Sequence, residues 1–363
     1  TYHGGKKMDF AQLNDAAYIG VINSVLSRGI DSQNRTGVET TGTCFILSDY
    51  ALEAGNVPLI STKAVNLKPL LVELEWYLRG EGNIAFLKEH GVKIWDAWAD
   101  ANGDLGPVYG RQWRKWEDTR IVNAADYAAD KEKYDERGYH VEGELENRVV
   151  ISREIDQLQR IVNSLRDNPT DRRMLMSAWN VGQLEDMALP PCHFAFSVWS
   201  RELEFEDRLR MANDIAAEHV SRGISSKYVQ MLDAVAKTGE LNEETLNELE
   251  IPTRMLCSSV MQRSVDVFVG MPFNIAGYGI LTHFLAHITN HMPSMMSHYG
   301  CDVHIYADHA EGLKELGQRE IPVDSKPIVL FPDTWRELND FRWEDVVIDG
   351  YKPLPWIKVP VAV

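Results

Sequence analysis

Leu189-Pro190-Pro191-Cys192-His193 is the segment that decides what this chain is. Two consecutive prolines stiffen the backbone. A cysteine placed just after them has its thiol held in a narrow range of positions. A neighbouring cation would lower the pKa of such a thiol, and the thiolate is the reactive form. The bland alternative is a small buried hydrophobe, so the neighbours must decide.

Working outward, Asp171-Arg172-Arg173 precedes a strand-like run at 174–179, and 194–199 reads as a second buried strand. Paired arginines after a turn can grip a phosphate bidentately, although a solvated surface pair is the commoner outcome. Gln262-Arg263-Ser264-Val265-Asp266 closes a third strand-like run at 255–262, and a buried arginine there needs an anionic partner. A nearly all-apolar helix follows over 272–291 and should be buried. Near its start stands Asn274, whose amide offers both donor and acceptor to a base edge or simply caps the helix. Asp302-Val303-His304-Ile305-Tyr306 alternates polar and apolar, so His304 and Tyr306 share one strand face.

Upstream, 9–30 reads as a helix ending near Gly29, and 41–48 as a strand. Asn66 offers an N-cap to a helix with Leu67, Leu70, Leu71, Leu74 and Leu78 at helical spacing, stopped by Gly80. Glu73 lies within it, and a buried carboxylate has the raised pKa a proton carrier needs. Strands and helices mix without strict alternation, which predicts an α/β (α+β) class.

The 363 residues carry 37 basic and 54 acidic side chains, a net charge of −17. So acidic a chain is a poor binder of nucleic acid. The four cysteines, Cys44, Cys192, Cys257 and Cys301, lack metal-ligand spacing, and a reduced, cytoplasmic setting is expected. No apolar run suits a membrane span or a signal peptide. Met8 is read as the natural start, with 1–7 foreign to the domain. Residues 124–147 hold eight acidic and three basic side chains and read as a surface insertion, partly helical at best. Helical periodicity resumes at Ile155, Leu158, Ile161 and Leu165. A second insertion near 206–252 shows short helical patterns, and the tail from 335 is Pro-rich with short strand-like pieces.

Taken together and in order, Arg35-Thr36-Gly37, Ile94-Trp95-Asp96-Ala97-Trp98, Gly103–Gly110, Arg172-Arg173, Ser177-Ala178-Trp179-Asn180, Pro191-Cys192-His193, Gln262-Arg263-Ser264, Pro272-Phe273-Asn274, His304-Ile305-Tyr306 and the tail 357–363 closely resemble the thymidylate synthase family. The resemblance spans nearly the whole chain. It implies one catalytic domain over 9–363, interrupted at about 118–150 and 206–252, built on a large mixed sheet that pairs with a second sheet in a homodimer. It implies transfer of a one-carbon unit from 5,10-methylenetetrahydrofolate to C5 of a pyrimidine deoxynucleotide. On the same grounds Cys192 would attack C6 and make C5 nucleophilic. Arg35, Gln262, Arg263 and Ser264 would bind the nucleotide, with Arg172 and Arg173 reaching across the dimer to its phosphate. Asn274 would read uracil, so dUMP is the expected substrate, and His304 and Tyr306 would hold the 3′-hydroxyl. Glu73, Tyr109 and Asp266 would run the proton network. Ile94, Trp95, Trp98, Leu189, Asp266, Gly270 and Phe273 would line the folate site, closed by Val363.

Several features depart from the usual synthase pattern: Asp308 replaces a common asparagine, Ala64 and Asn66 stand at usual folate contacts, both insertions sit at unusual places, and two further changes lie nearer the chemistry. Ser197 stands where synthases carry Gln, leaving room for a water near the active-site strand. Glu73-Leu74-Glu75-Trp76-Tyr77 is similar to the motif of phage deoxycytidylate hydroxymethylase, although Glu75 would face away from Glu73. Within the family the exocyclic methylene at C5 is either reduced by hydride, giving thymidylate, or attacked by water, giving the 5-hydroxymethyl nucleotide. The departures favour a phage-type dUMP hydroxymethylase. Thymidylate synthase itself is the close alternative, followed by dCMP hydroxymethylase and a non-catalytic nucleotide-binding homologue.

Overall fold

The computed structural model describes residues 2–3, 6–7, 9–34, 37–238 and 242–360. Arg35 and Val363 lie outside them, as does the expected start at Met8.

The apolar helix spans Gly270–Ile288 and is buried along most of its length, with Phe273, Asn274, Gly277 and His287 partly open. It begins two residues before the predicted run and ends three before its predicted close, where Asn290 takes φ 53°. The helix lies against Pro58 so closely that a Cβ on Gly279 would stand 2.5 Å from the proline Cδ. It joins two parallel neighbours, Arg254–Asp266 and Met292–Tyr306. They are the middle of a six-stranded sheet in the order Ile30–Ser32, Thr40–Ala51, Met292–Tyr306, Arg254–Asp266, His193–Glu202, Leu175–Ser177. All other neighbours are antiparallel, so the sheet is mixed, as expected. One face packs on Gly270–Ile288, and against that helix lies Leu67–Leu78, whose Leu70, Leu71, Leu74 and Leu78 are buried. Asn66 sits at the N-cap position, but its side chain makes no capping bond. The opposite face of the sheet leaves Phe45, Leu47, Trp199 and Met295 exposed.

The first insertion corrects the sequence reading. It is a three-stranded antiparallel sheet, Trp116–Asn123, Arg148–Ile155 and His140–Leu145, with the short helices Ala124–Ala129 and Lys131–Glu136. Its core is Tyr139, Val149 and Ile151. Asp118 accepts bonds from Arg120, Arg153 and Tyr139, which ties the strands together. The acidic composition hid strands that are largely exposed, with only Val149 and Ile151 of Arg148–Ile155 buried. Ile155 ends a strand rather than opening a helix. Asp156 caps the helix Gln157–Asp167 by accepting from the Gln159 N–H at 2.8 Å. The strand expected at 174–179 shortens to Leu175–Ser177.

The second insertion is helical as expected: Phe205–Arg222, Lys227–Thr238 and Glu243–Glu248. Met211, Ala212, Met231 and Leu246 give it a small core of its own. In the tail, Leu338, Phe341 and Ile357 pack on the main core. Among the described residues, no helix is long and apolar enough to cross a membrane, and no side-chain cluster suits a metal ion.

Candidate active site

Cys192 stands immediately before the strand His193–Glu202 and is held from two sides. Its backbone N–H donates to the Tyr109 hydroxyl at 2.9 Å. Arg263, on the adjacent strand, places a guanidinium nitrogen 4.0 Å from its Sγ. The Pro190 and Pro191 carbonyls accept from Arg263 at 2.8 and 2.9 Å, so the proline pair also fixes the cation. A register shift between Met261 and Gln262 lets the Arg263 N–H donate to the Cys192 carbonyl at 2.7 Å.

Tyr109 has φ 23° and ψ −87°, a backbone that side-chain-bearing residues rarely adopt. Its ring is clamped by His193 at 4.2 Å, Tyr77 at 5.2 Å and Trp95 at 5.8 Å, which holds the strained residue in place. His193 bonds the Tyr278 hydroxyl through Nδ1 at 2.7 Å. Burial pushes its imidazole down to about 3, so it is neutral and Arg263 is the cation beside the thiol.

Glu73 points from its helix into a narrow cavity of about 20 Å³, shared with Tyr77, Trp113, His193, Asn274 and Tyr278. That volume holds one water molecule. Burial raises the Glu73 carboxyl to about 7, against the hydrogen bonds of Trp95 and Tyr77, which lower it. The Trp95 indole N–H donates to Glu73 at 2.7 Å. Glu75 faces elsewhere, as expected: it is buried, accepts from the Trp343 N–H at 2.9 Å and pairs with Arg79.

A polar chain orients Asn274. His298 Nε2 meets Gln262 Oε1 at 3.0 Å, and Gln262 Nε2 donates to Asn274 Oδ1 at 3.1 Å. Burial takes His298 down to about 4 and keeps it neutral. With its oxygen receiving Gln262, Asn274 keeps its NH2 as a donor, and the residue lines the cavity. Ser264 and Asp302 are register partners, as are Asp266 and His304. His304 Nδ1 meets Asp302 Oδ1 at 3.0 Å, and the Tyr306 ring stands 5.2 Å from the imidazole.

Of the expected folate residues, Trp95 is buried in the main core, Trp98, Leu189 and Phe273 pack against it with partly open surfaces, and Ile94 is 40% exposed. Asp266 accepts the N–H groups of Phe268 and Val269 at 3.0 and 3.1 Å, leading into the helix that Gly270 opens. Arg172 and Arg173 are exposed beside the edge strand Leu175–Ser177, two strands from Arg263. They are not gathered around Cys192 within this chain.

Ser197 requires a correction. It pairs with Ser259 and Leu175 on the sheet face that also carries Trp199, opposite the face where Phe196 and Val198 are buried. A two-residue period turns it away from the Glu73 cavity.

Sequence reasoning gave no role to Tyr77, Trp113, His193, Tyr278 and His298. Nor did it find His309, wholly buried, which meets the Pro360 carbonyl at 3.0 Å and lies 3.8 Å from Asp266. Only His193 carried a signal, its place next to Cys192.

A thiol nucleophile beside a fixed arginine, a carboxylate that titrates near neutrality and an oriented amide define an enzyme built to add to, and deprotonate, a planar substrate ring. The thymidylate synthase family model matches residues 16–363, and the chain belongs to that family. It is an enzyme of folate-dependent one-carbon transfer to a pyrimidine nucleotide, with methylenetetrahydrofolate as the family's cosubstrate.

Proposed function

We propose that the protein converts dUMP to 5-hydroxymethyl-dUMP. Cys192 adds to C6 as the thiolate, favoured by Arg263, and the electron pair moves to C5. C5 takes the one-carbon unit, Cys192 is later expelled, and the C5 proton leaves through the network of Glu73 and Tyr109. The observation that carries the reading is the water-sized cavity where Glu73, Asn274 and Tyr278 meet apolar walls that include Leu70 and Phe273. A water held there beside a carboxyl at about 7 has an adjacent base when it attacks the C5 methylene. With the Asn274 oxygen engaged by Gln262, its NH2 is the group left to meet the base, and a donor suits the O4 acceptor of uracil rather than the amino group of cytosine.

Arg172 and Arg173 would reach the phosphate of a second copy, joined through the sheet face that exposes Phe45, Leu47 and Trp199 at 64%, 63% and 54%. Reductive methylation to thymidylate is the second reading. The packing of Ile357 on the core and the hold of His309 on Pro360 favour it, since a tail seated over the site would exclude water. Release of tritium from dUMP labelled at C5, dependent on methylenetetrahydrofolate, tests the transfer under either reading. Wild-type protein should release it and Cys192→Ser should not; release by the serine variant would contradict the mechanism.

A further inference from the structure

A second, larger cleft lies away from Cys192, between the helical insertion and the far end of the central helix. Its volume is about 900 Å³, at the upper end of small-molecule sites. His283 and Ile288, near the C-terminus of Gly270–Ile288, form one wall. Asn274 sits near that helix's other end, 14 residues from Ile288, so the two sites stand roughly 20 Å apart along one element. The insertion supplies the opposite wall through Arg208, Lys227 and Tyr228.

The cleft is basic within a chain of net charge −17. Arg166, Arg208, Lys227 and Arg336 line it, against the carboxylates of Asp333 and Glu250. Three of these cations rest on neutral oxygens. Arg208, only 4% exposed, donates to the Ile251 and Pro252 carbonyls at 2.5 and 3.2 Å. Lys227 donates to the Glu250 carbonyl at 2.7 Å and to Asn290 Oδ1 at 2.8 Å. Arg336 donates to the Asp333 and Trp335 carbonyls. Among the described residues, none of the three has a carboxylate within ion-pair distance. A buried guanidinium without a carboxylate is costly unless an anion joins it. Burial lowers the Lys227 ammonium, with Arg336 and Arg208 adding to the effect against Glu250 and Asp333.

Other features add to this anionic preference. The helix Lys227–Thr238 begins at the cleft, and Ser225, Ser226 and Lys227 at its start line it. The carbonyls ending the central helix are covered: Arg166 donates to the Ile288 carbonyl and the Thr289 hydroxyl to Leu285. Tyr228 and Phe331 offer ring surface, and Gln230, Asn247 and Asn290 offer amides able to meet a base edge. Room for far more than an inorganic anion, several unneutralised cations, aromatic surface and amides together describe a nucleotide bearing several phosphates.

We propose that this cleft binds a nucleoside polyphosphate, at a site separate from the Cys192 site. The test is equilibrium binding of dTTP, inorganic tripolyphosphate and orthophosphate to full-length protein, with saturating dUMP occupying the catalytic site. Saturable dTTP binding is expected, weakened at least about tenfold in Lys227→Gln and in Arg336→Gln, each of which removes a single cation-to-oxygen contact set. Arg336 is exposed, so its variant reports even if Lys227→Gln folds poorly. Absent saturable dTTP binding, or binding unchanged in Arg336→Gln, overturns the proposal. Tripolyphosphate or orthophosphate binding as tightly as dTTP overturns the nucleotide assignment, since the base would then contribute nothing.

Discussion

The indole N–H of Trp95 donates to Glu73 Oε1 at 2.7 Å, and this bond opposes the burial that raises the Glu73 carboxyl to about 7. A donor stabilises the carboxylate form, so removing it leaves burial less opposed and the pKa rises further. In Trp95→Phe, the limb of the kcat–pH profile assigned to Glu73 should move from near 7 to higher pH. A pH titration of initial rates checks this, and a limb that stays put or moves to lower pH would count against Glu73 as the titrating group.

Glu73 also sets a stability prediction. Its carboxyl binds a proton more tightly folded than unfolded, so the native state loses stability as pH rises from about 4.5 to about 7. Glu73→Gln escapes that loss. Thermal melts should show the variant gaining on wild type across this window, by up to about 3 kcal/mol above pH 7. Activity should meanwhile fall by about a hundredfold or more.

The strained Tyr109 gives a third expectation. Tyr109→Phe keeps the ring among His193, Tyr77 and Trp95 but removes the oxygen that receives the Cys192 N–H. Stability should drop by about 1 kcal/mol. The rate should drop about tenfold to a hundredfold as Cys192 loses its fixed position. Equal wild-type and variant kcat in single-turnover measurements would show that the bond does no positioning.

Asn274→Asp tests the base preference. The exchange replaces the Asn274 NH2 with a carboxyl oxygen, which can meet the amino group of cytosine. Competition kinetics should show kcat/KM for dUMP falling at least about a hundredfold relative to dCMP. An unchanged ratio would mean that another group reads the base.

Most of the scaffold was legible because long apolar periodicities dominate it. The leucines of Leu67–Leu78 and the nearly all-apolar run of Gly270–Ile288 announce their elements and burial. Cys192 and Arg263 were legible as residue types, but their link through the Pro190 and Pro191 carbonyls needs the strand register. The same register turns Ser197 away from the cavity, which local sequence does not show. The Glu73–Trp95 bond joins residues 22 apart, and the His193–Tyr278 pair joins residues 85 apart, so no local pattern marks them. The first insertion misled because its strands are mostly exposed and charged, so no apolar alternation marks them.

The central claim is that water, rather than hydride, completes the reaction at C5. Incubating the protein with dUMP and methylenetetrahydrofolate in water enriched in heavy oxygen, and weighing the nucleotide product by mass spectrometry, tests it most directly. The account predicts a product one oxygen heavier than thymidylate, with that oxygen carrying the label and no dihydrofolate absorbance developing. Unlabelled thymidylate formed together with equimolar dihydrofolate would contradict it.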